Sequence, residues 1–356
     1  MASFRTGTVV EVIDATEDLV RTTVALDETI IPAVGFPSML GPVAAGDRVV
    51  VNTTGIDLEL GSGGDGFVLW NLDGPGPNGP GPGHIIKLRY TPWQTEVLAA
   101  EEPESPHHER LEAVTSIAGM PVVACGLHSQ VAGVAAGIRE RAPEARIGFL
   151  MTDGGALPLA WSGLVRDLEG AGLLEVSCTC GHAFGGDIEA VNGFSGLAAL
   201  CYAGGADIVI AAMGPGVVGT ASALGFTAME QGQLLDATTA LGGRAIACLR
   251  LTFSEDRDRH RGLSHHSISA LTIAARERAT VVVPQLGDVR CGEVRADLAA
   301  TGLDTRHDIV TADGGPGLAL LQELGIKPSS MGRSLDEVPE LFLAAAAAGR
   351  VGAESL

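Results

Sequence analysis

From about residue 120 onward, short apolar runs of strand character alternate with segments of helix length, and this limits the fold more than any other feature. PVVACG precedes SQVAGVAAGIRER, RIGFLMT precedes ALPLAWSGLVRDLE, LLEVSCT precedes DIEAVNGFSGLAALCYAG, and DIVIAAM precedes TASALGFTAMEQGQLLDATTAL. RAIACLRLTF then leads into SHHSISALTIAARER, and TVVVPQL and DIVTADG complete the series. Strands that are apolar on both faces must be covered on both, and the intervening helices supply the cover. The expected fold class is therefore α/β: a Rossmann-like parallel sheet of up to about seven strands with helices on both faces. Helical segments rich in Ala and Gly can pack close to such a sheet.

The N-terminal part follows a different period. TGTVVEVID, LVRTTVALD and DRVVVNTTG are short Val- and Thr-rich runs broken by Gly, Asp and Pro, and FVLWNL adds a further strand. Strands spaced this tightly suggest a small antiparallel β-barrel, since closure removes exposed edges. The stretch DGPGPNGPGPG, residues 73–83, reads as a surface loop, and EEPESPHHE as a Pro-broken connector. The expected organisation is a β-rich barrel-like domain over 1–95 and an α/β domain over 96–356.

Charge excludes two classes of partner. Forty-three acidic residues against 23 basic ones give a net charge of −20, which argues against nucleic acid and against anionic membranes. The longest apolar run, Leu341 to Ala348, is about half of what a membrane span needs, and MASFRTGTVVEV lacks a signal-peptide core. The expectation is a soluble cytoplasmic protein. Its apolar tail, SLDEVPELFLAAAAAGRVG, must cover something, either a second copy in a homo-oligomer (a homodimer at its simplest) or its own sheet. Six thinly spread cysteines do not make a disulfide framework, and Cys201 and Cys248 read as small buried hydrophobes.

In an open parallel sheet, ligands bind beyond the carboxyl ends of the strands, so the residues that follow each strand are the candidate site. GLHSQ supplies His128, TDGGALP supplies Asp153, and RHRGLSHHS supplies His260, His265 and His266. Gly214, Gly216 and Gly219 satisfy G-x-G-x-x-G after one strand and before an expected helix, with Thr220 adding a hydroxyl. Such a loop brings backbone N–H groups to an anion. The dinucleotide reading is the weaker one, because the acid due about 20 residues later is Asp236, inside a helical segment, and Pro215 removes a donor. Tight helix–sheet packing is the bland alternative.

Ser264 is an expected N-cap, which places His265 and His266 in a first helical turn, where the dipole keeps an imidazole neutral. Adjacent helical residues point about 100° apart, so the pair chelates one metal poorly. Cys178, Cys180 and His182 fall on one strand face and could join His128 or Asp187 around zinc, but C-x-C-x-H lacks the usual spacing. A structural role is the favoured reading there, and Asp187 and Glu189 read as acids of a first helical turn.

At GLHSQ, TDGGALP, MGPGVVGTASALGF and RHRGLSHHS the chain resembles a bacterial family classed as a domain of unknown function, and the likeness extends to MGRS near the C-terminus. The resemblance implies that these loops form a shared site, and it carries no activity, cofactor or catalytic residue. The resulting expectation is an enzyme, a hydrolase or transferase, acting on a small anionic metabolite that is phosphorylated or nucleotide-like. In it, Gly214, Gly216, Gly219 and Thr220 hold the anion, His265 or His266 acts as base, and His128 and Asp153 assist. The rival expectation is a non-catalytic metabolite-binding or scaffolding protein.

Overall fold

The computed structural model describes residues 2–59, 64–77, 79 and 81–356, so Asn78 and Pro80 of the expected Gly/Pro loop lie outside the described residues. The chain divides into two compact units, Met1–Pro82 with Leu88–Glu96, and Gly83–Lys87 with Val97–Leu356. A single cut at 95/96 therefore misses the strap Gly83–Lys87, which belongs to the second unit because Lys87 is buried there against Glu189.

The first unit is a closed barrel of five strands: β1 (Phe4–Ala15), β2 (Val20–Leu26), β3 (Thr29–Gly35), β4 (Arg48–Asn52) and β5 (Gly66–Asn71), in the order β1-β2-β3-β5-β4. Alternate residues of β2 (Val20, Thr22, Val24 and Leu26) face inward, and Val9, Val49, Val51 and Val68 meet them. Every pairing is antiparallel except the closing one, where Ala33–Val34 runs parallel to Gly66–Phe67. β3 is not legible in the sequence because Pro32 interrupts its run.

The second unit holds an eight-stranded parallel sheet: β6 (Pro121–Cys125), β7 (Ile147–Thr152), β8 (Val176–Thr179), β9 (Ile188–Glu189), β10 (Ile208–Met213), β11 (Arg244–Cys248), β14 (Thr280–Pro284) and β15 (Asp308–Ala312). A hairpin of β12 (Leu251–Thr252) and β13 (Gly262–Leu263) rises between β11 and β14. The sheet order is β9-β8-β7-β10-β6-β11-β14-β15. Successive strand residues feed two different cores: Val122 and Ala124 join one, Val123 and Cys125 the other. On one face lie α1 (Gln130–Arg141), α2 (Gly163–Gly170) and the C-terminal α8 (Pro339–Ala353); on the other lie α3 (Gly193–Tyr202) and α4 (Glu230–Ala240). The remaining helices are α5 (His265–Ser269), α6 (Asp288–Ala300) and α7 (Gly315–Glu323).

Two expectations change. The segment from Asp187 does not open a helix: Ile188–Glu189 pairs with Cys178–Thr179 as an edge strand, and the helix starts at Gly193 behind an Asn192–Ser195 capping box. The C-terminal helix docks on its own unit, burying Phe342 and Ala344–Ala348, which removes the reason for a homo-oligomer. It lies so close to α1 that a Cβ on Gly137 would collide with the Ala346 carbonyl. Among the described residues no helix is long and apolar enough to cross a membrane.

Candidate anion site at the carboxyl edge of the sheet

The chain leaves β6 toward β7 and leaves β10 toward β11, in opposite directions across the sheet. Loops therefore part at the carboxyl ends of these central strands, which opens the crevice where ligands of such sheets bind. Two buried amides hold the strand ends. Gln130 Oε1 accepts from the backbone N–H groups of Gly126 and Leu127 at 3.1 and 3.0 Å, while its Nε2 donates to the Leu249 carbonyl at 2.8 Å. Gln231 Nε2 donates to the carbonyls of Ala124 and Cys248 at 2.8 and 2.7 Å.

His128, expected in catalysis, is part of this framework. Its Nδ1 lies 2.9 Å from the Met213 carbonyl and its Nε2 2.6 Å from Ser162 Oγ. A carbonyl only accepts, so Nδ1–H donates to it and the Ser162 hydroxyl donates to Nε2. Burial pushes His128 down to about 4, so it stays neutral. Ser162 in turn accepts from Val165 N–H as the N-cap of α2. Both imidazole nitrogens are thus occupied, and the ring straps the loop after β6 to the root of the glycine loop.

The residue that defines the site is Arg250, just beyond β11. It is 5% exposed, and among the described residues it has no ion pair. Its Nη1 donates to His266 Nδ1 at 3.0 Å, and its Nη2 donates to Met331 Sδ at 3.4 Å from the Ser329–Ser334 hairpin. Burial, then the neighbouring Arg257, brings it down to about 10, which leaves it charged at neutral pH. Around it Glu255 pairs with Arg257 and Arg333 at 2.9 and 3.1 Å, and that pairing holds Glu255 at about 2.

The expected cap at Ser264 is present, with its Oγ accepting from His266 N–H. The rings of His260, His265 and His266 cluster at centroid distances of 4.5 to 4.8 Å, and His266 stacks on Phe226 at 4.0 Å. Burial and then Arg250 push His260 and His266 down to about 3; burial and then Arg259 lower His265. Because an arginine can only donate, His266 Nδ1 is unprotonated, and the neutral ring carries its proton on Nε2. His266 therefore presents an N–H, which is a donor and not a base.

The glycine loop reaches this donor. An ideal Cβ on Gly219 would lie 3.4 Å from His266 Nε2, so the missing side chain leaves the space in front of the imidazole open. The three glycines differ in reason. Gly214 is buried, and a Cβ there would collide with the Ala156 carbonyl. Gly216 has φ of +98° and faces open space. The helix expected at Thr220 is absent: Gly219 bridges to Phe226, Thr220 N–H and hydroxyl both bond the Gly225 carbonyl, and α4 begins only at Glu230. The cause is tertiary, since stacking Phe226 on His266 folds the Ala-rich segment back on itself.

Asp153 lies at the lip beyond β7, exposed, with Oδ2 accepting from His182 N–H at 2.9 Å. Beside it is Glu230, which the sequence reading missed within a helical run. A Cβ on Gly154 would collide with Glu230 Oε2, so the glycine makes room for the carboxylate. Burial raises Glu230 to about 7, and the Asp153 charge adds to the rise.

Cys178 and Cys180 are buried thiols raised by burial, Cys180 to about 12, and are poor nucleophiles and ligands in that state. Next to them Lys87, fully buried, bonds the Ala190 carbonyl and pairs with Glu189 at 3.2 Å. Cys248 is buried as expected, while Cys201 is only partly covered.

Among the described residues two groupings have metal-ligand spacing, His260–His265–His266 and His84–Glu102–Glu104, and neither includes Cys178, Cys180 or His182. In the first, the Arg250 and Arg259 charges, which add to burial in lowering the imidazoles, repel a divalent cation more strongly than a proton, and Arg250 already occupies His266 Nδ1. These donors suit an anion.

A five-stranded barrel and a parallel α/β unit, with Arg250 and three histidines gathered beyond the carboxyl end of β11, define the class. Within it, a family model described as "Protein of unknown function (DUF3866)" matches residues 32–349, and the chain belongs to that family. No curated protein matches it.

Proposed function

We propose that this protein binds a small anionic metabolite, phosphorylated or nucleotide-like, at the carboxyl edge of its sheet and acts on it as a hydrolase or transferase in the cytoplasm. The observation that carries the reading is the Arg250 guanidinium, buried and charged, whose acceptors among the described residues are a neutral imidazole and a thioether. Burying an arginine in this way costs several kcal/mol unless an anion joins it. His266 Nε2–H points toward the space beside Gly219 and offers a second donor. In a chain of net charge −20, such a pocket selects anions locally against the overall field.

His266 is not the base under this reading, because it already carries its proton on Nε2. The histidines and Arg250 hold and polarise the anion. A thermal-shift panel of nucleotides, sugar phosphates and dicarboxylates tests the proposal: a ligand at 100 times its Kd adds about 2.7 kcal/mol of stability. Stabilisation by phosphorylated compounds that Arg250→Gln abolishes supports it; a panel with no response at millimolar concentration overturns it.

A further inference from the structure

We propose that Glu230, whose carboxylate fills the space left by Gly154, is the proton-exchanging residue of this site. The inference rests on the anion-binding reading above and assigns the role that His266, already protonated on Nε2, does not fill. Three features place Glu230 there. Its carboxylate occupies the space left by Gly154, the residue after Asp153, at the end of β7. The same turn meets the glycine loop, since a Cβ on Gly155 would collide with the Gly214 carbonyl and Ala156 N–H bonds the Pro215 carbonyl at 2.7 Å. Glu230 also follows Thr227, which is tied to Val218 of that loop by two bonds, at 2.9 and 3.2 Å.

The groups that act on Glu230 are the Thr152 hydroxyl, which lowers it, and the Asp153 carboxylate, which raises it; the Cys180 thiol interacts with Glu230 and also with Lys87, Asp153 and Glu189. A carboxyl group raised to about 7 holds a proton half the time at neutral pH, the condition for acid–base work. In a hydrolysis, the bond from the anionic group to its bridging oxygen breaks with the electron pair going to that oxygen, which takes the proton of Glu230. Water bonds the anionic group and returns one proton to the Glu230 carboxylate. Asp153 acts through Glu230 and is a positioning residue.

The test is a pH titration of the Glu230 carboxyl carbon by NMR on the intact protein, alone, as Asp153→Asn, and with inorganic sulfate, which does not itself titrate in this range. The expected result is a midpoint near 7, lower in Asp153→Asn and higher with sulfate bound. A midpoint in the ordinary carboxylate range overturns the proposal, and so does one that Asp153→Asn leaves in place. Sulfate that binds without moving it overturns this proposal alone. Sulfate that does not bind overturns the anion reading and this proposal with it.

Discussion

Arg250 Nη1 lies 3.0 Å from His266 Nδ1, and this one bond sets the polarity of the carboxyl edge. It fixes the tautomer of His266, turns Nε2–H toward Gly219, and leaves Arg250 without a direct ion pair among the described residues.

The glycines should separate by role. Gly214→Ala drives a methyl group into the Ala156 carbonyl and is expected to destabilise the fold by about 2–3 kcal/mol. Gly219→Ala meets only ordinary contact, so stability should change by less than about 1 kcal/mol while anion affinity falls, because the methyl group takes the space before His266. Urea unfolding and calorimetric titration on both variants check this; equal effects on stability would contradict it.

The parallel sheet was readable because burial on both faces leaves an unmistakable apolar run, as in β10, where all six residues are buried. The loops after the strands were readable too, since His128, Asp153, Gly219 and His266 all emerge at one edge. Arg250 was not. It follows ACL and precedes LTF, so its charge looks like part of an apolar strand, and only the strand's end at Cys248 exposes its role. Glu230 was hidden in the same way inside a helix-forming segment. Thr220 misled because local Ala and Leu content favours helix, while the distant Phe226–His266 stack decides the conformation.

Acid should weaken the fold through the buried histidines. For His266 the folded value, about 3, lies below the unfolded 6.5, so between these values only the unfolded chain takes up the proton. Its contribution is fully present above pH 6.5 and is lost as pH falls toward 3. Wild type should lose stability between pH 6.5 and 4.5 more steeply than His266→Gln, by up to ~1.4 kcal/mol per pH unit. Urea unfolding across that window measures both slopes, and identical slopes would remove His266 from the buried neutral state.

Gln231→Leu keeps the volume and removes both donors to the Ala124 and Cys248 carbonyls. Leaving two buried acceptors unpaired should cost about 2–4 kcal/mol. A midpoint of urea unfolding within experimental error of wild type would mean that the strand ends do not depend on this amide.

The most direct measurement is calorimetric titration of inorganic phosphate into wild type and Arg250→Met, with the unfolding free energy of each determined alongside. The account predicts that affinity falls at least tenfold, about 1.4 kcal/mol, while stability is unchanged or rises by about 1 kcal/mol, because methionine removes an uncompensated buried charge. Unchanged affinity, or a stability loss above about 3 kcal/mol, would contradict it and make Arg250 a structural residue.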